Sequence, residues 1–273
     1  MSAPNRTAIS PLLHGLIDDA AVFPPGNAAL PDALSNHREY RNSWYSALVG
    51  PLLLPLSKLG ALDDCEEELR IGVIVDTVLD AVSPAVAALP DNVEVAQVEA
   101  RASGADALEA LLKASELWEL PVFAEIPVDG DVTSALKRLG PTQVAPKFRT
   151  GGLEAALFPE PEVLAAAVVC CADHGLSFKL TAGLHRAVRH VDPRTGFVHH
   201  GFLNVLAAAA EADGGASVGS VTDTLRLNES APLADRIRGM LTRPRPLWAG
   251  FGSCSISEPL DDLIGLSLAY KES

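Results

Sequence analysis

The sequence predicts an α/β fold, a single (β/α)8 barrel over residues 1–273 with a histidine-containing insertion after its seventh strand. Three observations carry this prediction. Apolar runs of strand length alternate with stretches of helical periodicity, and eight strand candidates fit the 273 residues. No linker divides the chain, because the Gly/Ser-rich break at 214–220 is too short to be a boundary. No Gly-x-Gly-x-x-Gly opens a helix after an early strand, so an open dinucleotide-binding sheet has no positive support.

Residues 1–10 are small and polar and read as a frayed end. The run from Gly15 to Gly26, with Asp18 and Asp19 inside it, reads as a first strand or a leading loop closed by a proline turn. The two acids suit a metal or base role and equally a helix cap or turn. A helix is expected over 30–47, with His37, Arg38, Glu39 and Arg41 on its polar face. Val49 to Lys58 reads as a buried strand whose prolines blur its register, followed by a solvated acidic connection over 59–69. Arg70 to Asp76 is a third strand leading into an Ala/Val helix that reaches residue 89.

In the fourth strand, Val93 to Arg101, the period of two puts Gln97, Glu99 and Arg101 on one face. Glu99 and Arg101 then either reach the barrel rim or pair with each other. After an amphipathic helix over 104–119, the fifth strand (Pro121 to Val128) carries Glu125 among apolar neighbours. A carboxylate there is costly to bury alone, so it is expected to face the pocket. A helix over 132–139 precedes the sixth strand, Gln143 to Arg149, and a helix over 161–173 precedes the seventh, Leu176 to Gly183. Four of the seven histidines (His185, His190, His199, His200) then fall within 185–200 around an Asp192-Pro-Arg-Thr-Gly196 turn, a hairpin or lid. Helices from Gly201 to Glu211, Thr222 to Leu227 and Pro232 to Leu241 lead to the eighth strand, Pro246 to Ser253, and a last helix from Pro259 to Tyr270.

Composition excludes several classes. At 48% hydrophobic and 21% charged the chain suits a folded globular protein, and with 5% aromatics its core should be Ala, Val and Leu. A net charge of −14 argues against a nucleic-acid partner. No run of about 20 apolar residues is free of charge or proline, and no basic start precedes an apolar run. No membrane partner and a cytoplasmic location are therefore expected. Cys65, Cys170, Cys171 and Cys254 show no metal-type spacing and are expected to be reduced. The Cys170–Cys171 pair reads as core filling, and Cys254 as packing or a functional thiol.

Chemistry concentrates at the strand ends, where barrels carry their sites. Lys147 and Arg149 share a face of the sixth strand, and Lys179, Thr181 and Gly183 a face of the seventh, leaving Phe148 and Phe178 toward the helices. Two lysines on neighbouring strands are expected to depress each other's pKa, which would make one a usable amine nucleophile.

The runs Pro-Lys147-Phe-Arg149-Thr-Gly, Phe-Lys179-Leu-Thr-Ala-Gly-Leu and Phe251-Gly-Ser-Cys-Ser255 resemble the sixth, seventh and eighth strand ends of deoxyribose-phosphate aldolase and related class I aldolase barrels. That resemblance covers about a tenth of the chain. It implies a Schiff base on Lys147, tuning by Lys179, and phosphate held at Gly183, Gly252 and Ser253. Arg149 stands where that pattern has a small hydroxyl residue, Glu99 only approximates its fourth-strand aspartate, and the histidine segment has no counterpart in it. The leading expectation is a lyase acting on a small anionic oxo-acid or sugar phosphate. Its catalytic candidates are Lys147, Lys179, Glu99, Glu125 and His185, and its substrate-binding candidates Arg149, Thr181, Gly183, Arg186, Gly252 and Ser253.

Two alternatives use the same rim. One is an acid/base or metal-dependent lyase or isomerase. In it, Lys147, Arg149, Lys179 and Arg186 clamp a carboxylate or phosphate, and His185 or a carboxylate moves a proton. Should it use a metal, Asp18, Asp19, Glu99, Glu125 and the histidines are the candidate ligands, although their spacing matches no metal motif. The other is a barrel that binds an anionic metabolite without changing it. The sequence specifies no cofactor, and a homo-oligomer is compatible with it.

Overall fold

The computed structural model describes residues 9–128 and 130–270, in which eight parallel strands close into a (β/α)8 barrel. In chain order the strands are β1 (Ile17–Asp19), β2 (Val49–Pro55), β3 (Leu69–Ile74), β4 (Val93–Arg101), β5 (Val122–Glu125), β6 (Val144–Arg149) and β7 (Phe178–Thr181). The eighth barrel strand, numbered β10 (Trp248–Ser253), lies between β7 and β1 and closes the ring. Between β7 and β10 the chain adds an antiparallel ribbon of β8 (His190–Val191) and β9 (Val198–His199), in which His190 faces His199.

The outer layer comprises α1 (Leu30–Arg41), α2 (Val82–Ala87), α3 (Ala105–Ser115), α4 (Val132–Leu139), α5 (Pro161–Asp173), α6 (Phe202–Asp213), α7 (Val218–Arg226), α8 (Ser230–Arg238) and α9 (Ser257–Gly265). The first barrel strand is three residues near the start of the run expected over 15–26. The second stops at Pro55, and the acidic connection begins with a 3₁₀ segment, Leu56–Leu62, so β2 and β3 are joined without an α-helix. The first helix ends at Arg41 rather than 47, because Trp44 and Tyr45 leave it to pack edge to face at 5.5 Å. The seventh helix starts at Val218, inside the Gly/Ser-rich break, since Ser217 accepts a capping bond from the Ser220 amide at 3.3 Å.

The core is aliphatic as expected, with its largest aromatics at the closure: Phe251 stacks on Trp248 at 5.5 Å and on Phe202 at 5.8 Å. Alanines let α6 bury residues 202–209 beside α5, α7 and α8. The helical stretch Ala155–Asp173 is long and apolar enough to cross a membrane by composition alone. Here Phe158, Pro159 and Glu160 break it, and its long part, α5, packs on α6 and α7.

Pro51 sits inside a barrel strand without loss of pairing because of where the register slips. Ile17 pairs with Val49 but Asp19 with Leu52, so Gly50 and Pro51 together oppose Asp18. A bulge of this kind tolerates the missing N–H of proline. It also places Gly50 against the Asp18 carboxylate, where a Cβ would lie 2.0 Å from Oδ1. Only glycine leaves room there.

Candidate active site

Strand alternation turns Asp18, Gln97, Glu99, Lys147 and Lys179 into the barrel, where all five are buried. Lys147 and Lys179 are direct partners in the β6–β7 ladder, and Glu125 partners Lys147 from β5. Glu99 reaches between the lysines from β4. Its Oε2 lies 2.7 Å from the Lys147 ammonium, and its Oε1 accepts from Lys179 at 2.5 Å. Lys147 also contacts Glu125 Oε2 at 2.9 Å, and Lys179 donates to Asp18. Gln97 Nε2 links the two acids, donating to Asp18 Oδ2 at 2.8 Å and Glu99 Oε1 at 2.9 Å. The Lys179 ammonium also lies 5.0 Å from the centre of the Phe123 ring, a cation–π contact.

These contacts overturn the expected depression of the Lys179 pKa. Burial pulls the Lys179 pKa down, but Asp18 and Glu99 outweigh it and raise the value above the ordinary one. Burial works against the charge of Glu99 too, and the two lysines prevail, holding its pKa at about 2. Glu125 is likewise lowered: Lys147 and Arg149 overcome its desolvation. Asp18 goes the other way, since burial, aided by Glu99, outweighs Lys179 and raises it. The expected alternative of a Glu99–Arg101 pair is not formed, because Glu99 is taken by the lysines.

A cavity of about 2040 Å³ opens at the carboxyl ends of the strands. Lys147 lines it; Lys179 lies beneath, 2% exposed and outside the lining. The substrate-binding candidates divide into committed and open groups. Thr181, Gly183 and Gly252 lie on the cavity wall. Arg149 is there too, but its Nε and Nη2 both donate to Glu125 Oε1, at 3.1 and 2.9 Å. Arg186 pairs with Asp262 at 2.7 Å. Ser253 is turned inward: its hydroxyl donates to the Ser255 carbonyl at 2.7 Å and accepts from the Ser255 amide at 3.2 Å. Gly183 has φ +77°, and a Cβ on it would lie 2.5 Å from the Thr150 carbonyl oxygen, so the β6 and β7 loops touch backbone to backbone.

The histidine segment is not uniformly solvated. His200 is fully buried, donates from Nε2 to the Pro159 carbonyl at 2.8 Å, and is pushed down to about 4 by burial. His199 contacts the Gly183 carbonyl at 3.2 Å and packs against Phe158 with tilted rings 4.5 Å apart. His185 lies between Glu258 (2.8 Å) and Cys254 (3.8 Å).

The proposed metal ligands are dispersed. Asp19 bonds His37 at 3.0 Å, tying β1 to α1, while Asp18 and Glu99 hold Lys179. Among the described residues no group of three or more His, Cys, Asp or Glu side chains is placed to share a metal ion. Two cationic wall residues stood outside the sequence-derived site. Arg101, at the end of β4, and Arg189, before the ribbon, line the cavity with no carboxylate within 4.0 Å among the described residues. Arg101 shares the Glu99 face in the strand alternation, which was the available signal; Arg189 had none. Neither known protein-family models nor curated proteins match this chain.

Proposed function

We propose that the protein is a lyase of the aldolase type, using Lys147 as an amine nucleophile on the carbonyl of a small anionic oxo-acid or sugar phosphate. The observation that carries this reading is the asymmetry of the two buried lysines: Lys147 lines the cavity with a carboxylate on either side, whereas Lys179 lies outside the lining. A carboxylate at 2.7 or 2.9 Å can take the proton that Lys147 must lose before attack. The amine then adds to the carbonyl carbon, and loss of water leaves an iminium. Glu125, the more accessible acid, removes the proton from the substrate's β-hydroxyl. The carbon–carbon bond breaks into the iminium, and the aldehyde departs. Protonation of the enamine and hydrolysis release the second product and restore Lys147. Lys179, held cationic by Asp18 and Glu99, supplies a fixed positive charge under the site. Arg101 and Arg189, with no carboxylate within 4.0 Å among the described residues, offer positive charge to an anionic group.

A second reading rests on the same ion pairs. Lys147 sits as a cation between two carboxylates, a placement that suits stabilisation of an enolate oxygen during proton transfer without a covalent intermediate. Oxygen exchange separates the two. Short 2-oxo acids and ketose phosphates incubated with the protein in ¹⁸O-water should exchange their carbonyl oxygen faster than in buffer, and Lys147→Met should remove the increment. Catalysed exchange of α-protons without oxygen exchange would instead select the second reading.

A further inference from the structure

Cys254 is the first residue past β10 and forms part of the cavity wall. Its Sγ lies 3.8 Å from Nε2 of His185, and the other nitrogen of that ring, Nδ1, lies 2.8 Å from Oε2 of Glu258. The three residues come from the end of β10, the loop after β7, and the first turn of α9. This is a thiol beside a base whose far side is oriented by a carboxylate. The Lys147 chemistry uses neither Cys254 nor Glu258.

The surroundings support a reactive thiol. The Glu258 amide donates to Ser255 Oγ at 3.2 Å, which fixes the start of α9 beside Cys254. Arg186 is neutralised by Asp262, and among the described residues the titratable groups coupled to His185 are Cys254, Glu258 and His199. Contact with Cys254, and then with Glu258, raises the His185 pKa against the pull of burial. The other cysteines lack this setting. Cys171 is buried and its thiol pushed up by burial. Cys65 contacts a backbone carbonyl; Cys170 Sγ lies 3.7 Å from His174 Nδ1, but that same nitrogen is engaged by the Cys170 carbonyl at 2.8 Å, and among the described residues no carboxylate bonds the ring.

We propose that Cys254, His185 and Glu258 form a nucleophilic centre that accepts an acyl group from a thioester or an activated ester. His185 takes the thiol proton as Sγ attacks the acyl carbonyl. The tetrahedral adduct expels the leaving thiolate or alkoxide, which receives that proton, and the acyl group remains on Sγ. In the release step His185 deprotonates a water that attacks the new thioester. The carboxylic acid departs, and the sulfur leaves as thiolate and regains its proton from His185. Glu258 holds the Nδ1 proton throughout.

Two probes on the full chain test this. Iodoacetamide at about pH 6 should alkylate Cys254 at least about tenfold faster than Cys65 in the same molecules, as expected for an activated thiolate. His185→Gln should cancel that advantage while Cys65 labelling, which reports an intact fold, stays unchanged. p-Nitrophenyl acetate should release one equivalent of p-nitrophenolate in a burst and leave an acetyl group mapped to Cys254; Cys254→Ser should lose both. Equal alkylation of Cys254 and Cys65, or an advantage that survives His185→Gln, would overturn the proposal. So would the absence of a Cys254-dependent burst. None of these readouts involves an amine, so they stand or fall apart from the Lys147 reading.

Discussion

Glu99 neutralises two lysines at once, and its position makes a measurable prediction. Its folded pKa of about 2 lies below the ordinary 4.5, so its contribution is complete above about pH 5 and is lost as pH falls toward 2. At about 1.4 kcal/mol per tenfold change in proton affinity, about 2 kcal/mol of this should disappear between about pH 5 and about pH 3. Asp18, with its pKa raised, has the opposite dependence above its ordinary value. Urea unfolding at the two pH values should show a steeper acid loss for the native chain than for Glu99→Gln. At neutral pH Glu99→Gln should itself be about 3–5 kcal/mol less stable, because two buried ammonium groups lose a partner.

Much of this cluster was legible residue by residue. The period of two put Glu99, Lys147 and Lys179 on inward faces, and the expense of burying Glu125 alone pointed it to the pocket. What could not be read was who pairs with whom. Glu99 and Asp18 come from strands on different sides of the ring, and their meeting at Lys179 depends on the stagger of the closed barrel. Without that stagger the two lysines looked like neighbours repelling each other, when carboxylates lie between them.

At the scale of elements, apolar runs ending in polar or glycine residues made β3 to β7 and β10 readable. The first strand was legible only as a strand or a leading loop, since two of its three residues are acids that dilute an apolar run. Its bulge against β2 carries the second prediction. Gly50→Ala would set a methyl carbon against the Asp18 carboxylate. The carboxylate is held by Gln97 and Lys179 and has little freedom to yield. The variant should lose about 1–3 kcal/mol in chemical unfolding, as overpacked sites do. An unchanged midpoint would mean that Asp18 is less constrained than its contacts indicate.

For the whole molecule, closure sits at the end opposite the cavity. Arg245 donates to the carbonyls of Leu12 (2.8 Å), His14 (3.0 Å), Trp248 (2.6 Å) and Ala249 (2.9 Å), stapling the start of β10 to the turn before β1. A lysine cannot reproduce that fan of donors. Arg245→Lys and Arg245→Met should each cost about 2–4 kcal/mol, since several buried carbonyls are left unpaired. A thermal melt checks this, and separation of the residue from the cavity means that ligand binding at moderate temperature should persist. The barrel thus carries its closure at the amino ends of the strands and its buried charges toward the carboxyl ends, which leaves the loops free to shape a large cavity over Lys147.

The most direct test of the central claim is reductive trapping. The protein is mixed in turn with short 2-oxo acids, aldose phosphates and ketose phosphates, reduced with borohydride, and digested for mass mapping. A single substrate-derived adduct is expected on Lys147, none on Lys179, and none in Lys147→Met. An adduct on Lys179 with Lys147 unmodified, or no adduct from any carbonyl that the folded protein demonstrably binds, would contradict it.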